Sequence, residues 1–159
     1  MTRRALRHRI RSSIDQPVGV GMVIREFRPE DCDALVEVLK ANLQYADPET
    51  EGPDAMIRVH QCQAAVFLVA EEDGNAIGMI RAVYDGSKAL IHIVSVHPAY
   101  QRRGVGTALV RETAGRLKKR GATNLAVTVP GDNLEFWKKL SFRMTTRIMF
   151  AHRIASVAG

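Results

Sequence analysis

Val94-Ser95-Val96-His97-Pro98-Ala99-Tyr100-Gln101-Arg102-Arg103-Gly104-Val105-Gly106-Thr107-Ala108-Leu109 runs on into an amphipathic segment that ends Lys118-Lys119-Arg120-Gly121. It reads as a buried strand, a basic glycine-containing turn and a helix. The first turn of a helix carries backbone N–H groups without intrahelical partners, and the macrodipole adds partial positive charge there. Glycines allow the backbone to approach a ligand, and Arg102 and Arg103 add full charges. Such a corner suits phosphate oxygens. The plainer alternative is an ordinary strand-to-helix turn with solvated arginines.

Three phosphate ligands compete for this turn. A nucleoside-triphosphate loop needs G-x-x-x-x-G-K-[ST], which the chain lacks. A dinucleotide turn needs a third glycine where Leu109 stands, and an acidic residue on the next strand, Asn124-Leu125-Ala126-Val127-Thr128-Val129, where there is none. The remaining pattern, Q/R-x-x-G-x-G/A, is met by Gln101-Arg102-Arg103-Gly104-Val105-Gly106. That string resembles the coenzyme A pyrophosphate loop of the GCN5-related N-acetyltransferase (GNAT) superfamily.

The composition sets bounds around this loop. At 159 residues, 46% hydrophobic and 25% charged, the chain fits one globular domain. No apolar run approaches the ~20 residues of a membrane span. Cys32 and Cys62 form no disulfide framework or metal spacing, and His8, His60, His92, His97 and His152 show no H-x-x-x-H grouping. A cytoplasmic protein with free thiols and no required metal is expected. The net charge of +6 is uneven: residues 1–21 hold five arginines against Asp15 alone, leaving +2 for the rest. Residues 1–21 read as a basic, poorly ordered extension, with Met22 heading the first strand pattern.

Outward from the loop, the pattern reads as alternating strands and helices. Residues 23–28 form a strand, and Pro29, Glu30 and Asp31 start a helix whose apolar face holds Leu35, Val36, Leu39 and Leu43, ended by Asp47-Pro48. A second helix is expected over 54–63. Residues 65–71 are a doubly buried strand, and Asp73-Gly74 is a tight hairpin turn into a strand over 76–84. The fourth strand covers 89–96. After the helix come a strand over 125–129, a short helix over 134–140, a last strand over 145–154, and a frayed tail at 155–159.

Four further features resemble the same superfamily from about Met22 to Ile154. They are Ile24-Arg25-Glu26-Phe27-Arg28-Pro29-Glu30-Asp31, Phe67-Leu68-Val69-Ala70-Glu71 with Asp73-Gly74 and Ile77-Gly78, the strand end Val94-Ser95-Val96-His97-Pro98, and Asn133 followed by Glu135-Phe136-Trp137-Lys138-Lys139-Leu140-Ser141-Phe142. The Tyr84-Asp85-Gly86 turn and Val129-Pro130-Gly131-Asp132-Asn133 resemble a bacterial YpeA-like branch. The resemblance implies an α/β fold with a mixed, mostly antiparallel sheet, splayed between strands 4 and 5, and helices on both faces. It implies acetyl-CoA in the splay as cosubstrate, and residues 22–154 as the acetyltransferase domain. By position, backbone N–H groups of Arg102, Arg103, Gly104, Val105, Gly106 and Thr107, following Gln101, would hold the pyrophosphate. Backbone groups of Val94, Ser95 and Val96 would meet the pantetheine and thioester carbonyl, where an N–H would stabilise a developing oxyanion. Asn133 would approach the pantetheine arm.

Direct transfer to a primary amine needs a base, and His92 is the candidate, because imidazole titrates near neutrality. Strict alternation puts His92 on the strand face of Val94 and Val96. A partly buried histidine with an ordinary hydrogen bond is its plainer reading, and His97 reads as a turn residue. Trp137 departs from the family's usual tyrosine; an indole N–H donates a hydrogen bond but gives up no proton in this range. It packs beside the thiol arm or in the core. Ser141 stands where glycine is usual. The expected activity is N-acetyl transfer from acetyl-CoA to an amine of a small molecule or peptide. A CoA-binding protein without turnover is the alternative, and a nucleic-acid module built on the arginine-rich start is a third, disfavoured reading. No membrane partner is expected, and homodimers are frequent in the family.

Overall fold

The computed structural model describes residues 21–129, 133–145 and 154–158. Five strands form one sheet in chain order: β1 (Met22–Glu26), β2 (Ala65–Glu72), β3 (Asn75–Tyr84), β4 (Ala89–Val96) and β5 (Ala126–Val127). The first three neighbouring pairs are antiparallel, and β4 with β5 is parallel. The helices are α1 (Cys32–Ala41), α2 (Pro48–Glu51), α3 (Pro53–Gln61), α4 (Val105–Lys119), α5 (Leu134–Lys139) and the short α6 (Ala155–Ala158). The expected strand over 145–154 falls mostly on 146–153, outside the described residues.

Each face of the sheet has its own core, because β2 and β3 are buried on both sides. Leu35, Val36 and Leu39 of α1 and Met56 of α3 pack against Phe67, Val69, Met79 and Ile93. On the other face Val105, Leu109, Val110 and Leu117 of α4 pack against Val66, Leu68, Ile80, Ala82 and Ile91, with Trp137 of α5. Full burial of such side chains contributes about 1.5–3 kcal/mol each. The β2–β3 turn takes left-handed backbone at Asp73 (φ 51°) and Gly74 (φ 79°), as the right-handed strand twist demands.

The first helix ends earlier than its apolar pattern implies. Leu43 has φ 55° and Gln44 N–H donates to Leu39 O at 2.8 Å, which closes α1 with a left-handed residue. Leu43 is therefore outside the helix, 95% exposed. Asp47-Pro48 does not end α1; it starts α2, where Asp47 Oδ1 accepts from Glu49 N–H at 2.9 Å.

β4 breaks the expected alternation. Arg81 pairs with Ile93 and Ala82 with Ile91, so β4 carries one extra residue, His92, opposite β3. A bulge bends a strand and increases its twist. The pairing of β4 with β5 stops at the same place, with Ile91 opposite Val127. β5 is consequently two residues long, shorter than expected, and β4 continues past it to Val96 with an edge that no strand among the described residues pairs.

Candidate active site

The open edge of β4 and the start of α4 meet at one corner. His97 N–H donates to Ile77 O at 2.8 Å, so His97, Ser95 and Ile93 direct their backbone groups at β3. Val94 and Val96 direct theirs into the gap. Their carbonyls are already taken: Gln44 Nε2 donates to Val94 O at 3.3 Å, and Asn42 Nδ2 and Gln101 Nε2 donate to Val96 O at 2.8 and 2.9 Å. Gln101 also donates to Asn42 Oδ1 at 2.9 Å, and Asn42 Nδ2 lies 2.8 Å from Ser95 Oγ. These contacts bolt the α1–α2 loop to β4. The gap therefore offers the N–H groups of Val94 and Val96 as donors, which have no acceptor among the described residues. Ser95 is buried, with its backbone turned to β3 rather than into the gap.

The turn beyond is built to take an anion. Arg102 has φ 62° and Gly104 φ 82°, and alternation of left- and right-handed residues turns successive N–H groups inward. Gly104 caps α4 with no side-chain bond to the first-turn N–H groups. Among the described residues nothing beyond its own turn lies within 4 Å of where a Gly104 side chain would begin, so none of them plugs the corner there. At Gly106 a Cβ would sit 3.3 Å from the Phe136 ring, so glycine there admits that ring to the mouth of the gap. Val105 is buried in the α4 core and Thr107 is half-buried, so only their main chain is on offer.

The two arginines divide. Arg103 pairs with Glu72 at 2.7 Å and stacks 5.2 Å from the Tyr100 ring centroid, so its charge is engaged. Arg102 is exposed and has no partner among the described residues. His97 Nδ1 accepts from Ala99 N–H at 3.2 Å and caps the turn.

The bulge interrupts the alternation that put His92 on the face of Val94 and Val96. Ile91, Val94 and Val96 all face α4, a spacing of three that only the bulge permits. Ile93 faces α1 and α3, and so does Arg81, which pairs with Phe67. His92 is exposed at the bulge; partial desolvation first, and the Arg81 charge second, push its pKa below the ordinary imidazole value. Trp137 is 8% exposed, edge-on to Phe136 and Phe142 at 5.0 and 5.1 Å. Asn133, at the cap position of α5, is exposed and adjoins 130–132, outside the described residues.

Sequence reasoning missed Asn42 and Gln44. They are polar residues after an amphipathic helix, and nothing local announces a bond to a strand fifty residues away.

The comparisons agree with this geometry. The sequence pattern of the Acetyltransferase (GNAT) family matches residues 32–142. Acetyltransferase SG1711 of Sodalis glossinidius (strain morsitans) is 30% identical over 134 residues, 80% of this chain and 92% of that protein. PaiA N-acetyltransferase from Thermoplasma acidophilum, solved in complex with coenzyme A, superposes with TM-score 0.69 at 23% identity, over 76% of this chain and 89% of its own. The aminoglycoside antibiotic 6'-N-acetyltransferase AAC(6')-IG from Acinetobacter haemolyticus gives TM-score 0.69 at 22% identity, over 82% and 97%. An unplugged anion corner beside an unpaired strand edge is what a diphosphate carrier with an amide-bearing arm requires, and the chain belongs to the acetyltransferase (GNAT) family as an acetyl-CoA-dependent N-acetyltransferase.

Proposed function

We propose that the chain transfers acetyl directly to a primary amine of a small molecule or peptide, in the cytoplasm, with residues 22–154 as the catalytic unit. The observation that carries this is the meeting of the open β4 edge with the uncapped start of α4. Acetyl-CoA supplies the acetyl group as an activated thioester. The N–H groups of residues 102–107 and the free guanidinium of Arg102 hold the pyrophosphate. The N–H groups of Val94 and Val96 hold carbonyl oxygens of the arm and, at the thioester, take up developing negative charge.

Two proton positions follow. The attacking amine must be neutral, and His92 accepts its proton, directly or through one water. As the C–N bond forms and the C–S bond breaks, sulfur leaves as a thiolate. Trp137 gives it no proton; an alkyl thiol has a pKa of about 8.5, so solvent protonates it.

Two measurements test the proposal together: calorimetry with acetyl-CoA, and thiol release with a panel of primary amines. Heat of binding and acetylation of at least one amine are expected. Heat without thiol release from any amine favours a CoA-binding protein without turnover, and no heat removes the site. A chain that starts at Met22 is expected to retain transfer; its loss would make the arginine-rich extension part of the enzyme.

A further inference from the structure

Arg81 is the least satisfied charge among the described residues. It is 8% exposed, in the middle strand of a sheet buried on both faces. Among the described residues its guanidinium makes one hydrogen bond, from Nη1 to Thr50 O at 3.1 Å. Nε is sealed from solvent without a partner, so a further oxygen has to come to the Nη end, where Nη2 has no bond among the described residues.

No carboxylate among the described residues bonds Arg81. Glu51 is near enough to favour the cation electrostatically, but its Oε2 accepts from Asp47 N–H at 3.0 Å and makes no bond to Arg81. Among the described ion pairs none includes Arg81, whereas the half-buried Arg25 takes two carboxylates. Burial pushes the Arg81 pKa below the usual guanidinium value, which still leaves it charged. A buried charge without an anion is costly, and an orphaned buried donor adds to that cost.

The position of this charge says what it is for. Arg81 pairs with Ile93, beside the bulge at His92, the proposed base, and against α2. Asp47, which caps α2, and Glu49 and Glu51 within it favour an approaching ammonium. A buried guanidinium whose Nη end lacks an anion matches an anionic oxygen group brought to that end.

We infer that Arg81 anchors the acceptor through an anionic oxygen group, carboxylate or phosphate, carried on the same molecule as the amine that is acetylated. This rests on the direct-transfer reading above and adds to it a substrate class: amines that also bear an acid group.

The test measures thiol release with amines in matched pairs, free amino acids against their carboxamides and phosphoethanolamine against ethanolamine. At least one anionic member is expected to exceed its partner by ~10-fold or more in kcat/KM, mostly through KM, because the site's open donors are otherwise left unpaired. Which pair shows the gap identifies the oxyanion. Arg81→Gln is expected to bring the ratio to within about twofold of one, and Arg81→Lys to keep part of it, since Lys retains charge but not the fork. Calorimetry with acetyl-CoA and the Tm of each variant report that the fold and the carrier site are intact. A ratio near one in the native protein, or a ratio that survives Arg81→Gln, overturns the proposal.

A thermal shift of the CoA complex separates this from the reading beneath it. If no amine turns over, yet an anionic amine raises the Tm of the native complex and not that of Arg81→Gln, the anion site stands and direct transfer falls. If no anionic amine shifts the native complex, the anion site falls too.

Discussion

His92 owes its position to one inserted residue in β4, and its charge state to what surrounds it there. Partial desolvation and the Arg81 charge hold its pKa below the ordinary imidazole value, which favours the neutral form that can take a proton. The sign follows: a base acts only when neutral, so transfer falls as pH drops through that lowered pKa and is independent of this group above it. His92→Ala is expected to lower kcat by ~10²-fold or more near pH 7 and to remove the acid limb from the kcat/KM profile. An acid limb that persists in the variant assigns it to another group. A second residue prediction concerns Ser141, which holds φ 68° at the end of α5 while Phe142 N–H reaches back to Trp137 O at 3.0 Å. Left-handed backbone costs a residue with a Cβ about 1–2 kcal/mol, partly offset because glycine loses more freedom on folding. Ser141→Gly is expected to stabilise the protein by about 0.5–1 kcal/mol in urea unfolding without changing acetyl-CoA affinity. Destabilisation would mean that the Ser141 side chain makes a compensating contact.

The start of α4 works as an element, since its first-turn N–H groups act together. Gly104 closes the preceding turn with φ 82° and open space beside it. Gly104→Ala therefore meets no clash; its cost is conformational, about 1 kcal/mol or somewhat more, and the backbone relieves it by turning an N–H out of the corner. Acetyl-CoA is expected to bind about tenfold more weakly by calorimetry, with α4 helicity unchanged by circular dichroism. Unaltered affinity would move the anion site elsewhere. This corner was legible in sequence because its parts are local: Gln101 to Gly106 are consecutive, and helix polarity follows from chain direction. The doubly apolar β2 and the Asp73-Gly74 turn were legible for the same reason. What was not legible is long-range. The His92 bulge exists only against β3, and it breaks the alternation by which sequence assigns a face. Leu43 fits a helical apolar stripe, yet Gln44 N–H pulls the chain back onto Leu39 and leaves Leu43 in solvent. Asn42, Gln44 and Arg81 declare nothing in sequence, because their chemistry lies in partners 31 to 54 residues away.

The molecule is tied together at the end of β1, where one carboxylate joins an edge strand to the start of α1. Arg25 donates to both oxygens of Asp31 at 2.8 and 2.7 Å and to Glu71 Oε2 of β2 at 2.6 Å, and Arg28 N–H donates to Asp31 Oδ2 at 2.7 Å. Burial alone would raise the Asp31 pKa, but the bonds from Arg25 and Arg28 N–H outweigh it, and the carboxyl sits below its ordinary value. A carboxyl lowered on folding contributes stability in full above its unfolded pKa, near 4, and loses it as pH falls through the lower folded value. Asp31→Asn removes the charge, turns an amide N–H₂ toward the Arg25 guanidinium, and leaves only Glu71 to compensate it. The expected loss is about 2–3 kcal/mol at pH 7, at or below the lower end for a broken buried pair because Glu71 remains. Urea unfolding from pH 7 to pH 2 is the measurement. The native protein should lose stability below about pH 4 more steeply than Asp31→Asn, so that the gap between the two narrows as acid protonates Asp31. Since β1 and the residue after it reach both cores through Ile24 and Phe27, unfolding should remain a single transition in each. A gap of equal size at both ends of the pH range would show that Asp31 acts through shape and hydrogen bonding alone, and that its charge does not hold the edge strand to the rest of the protein.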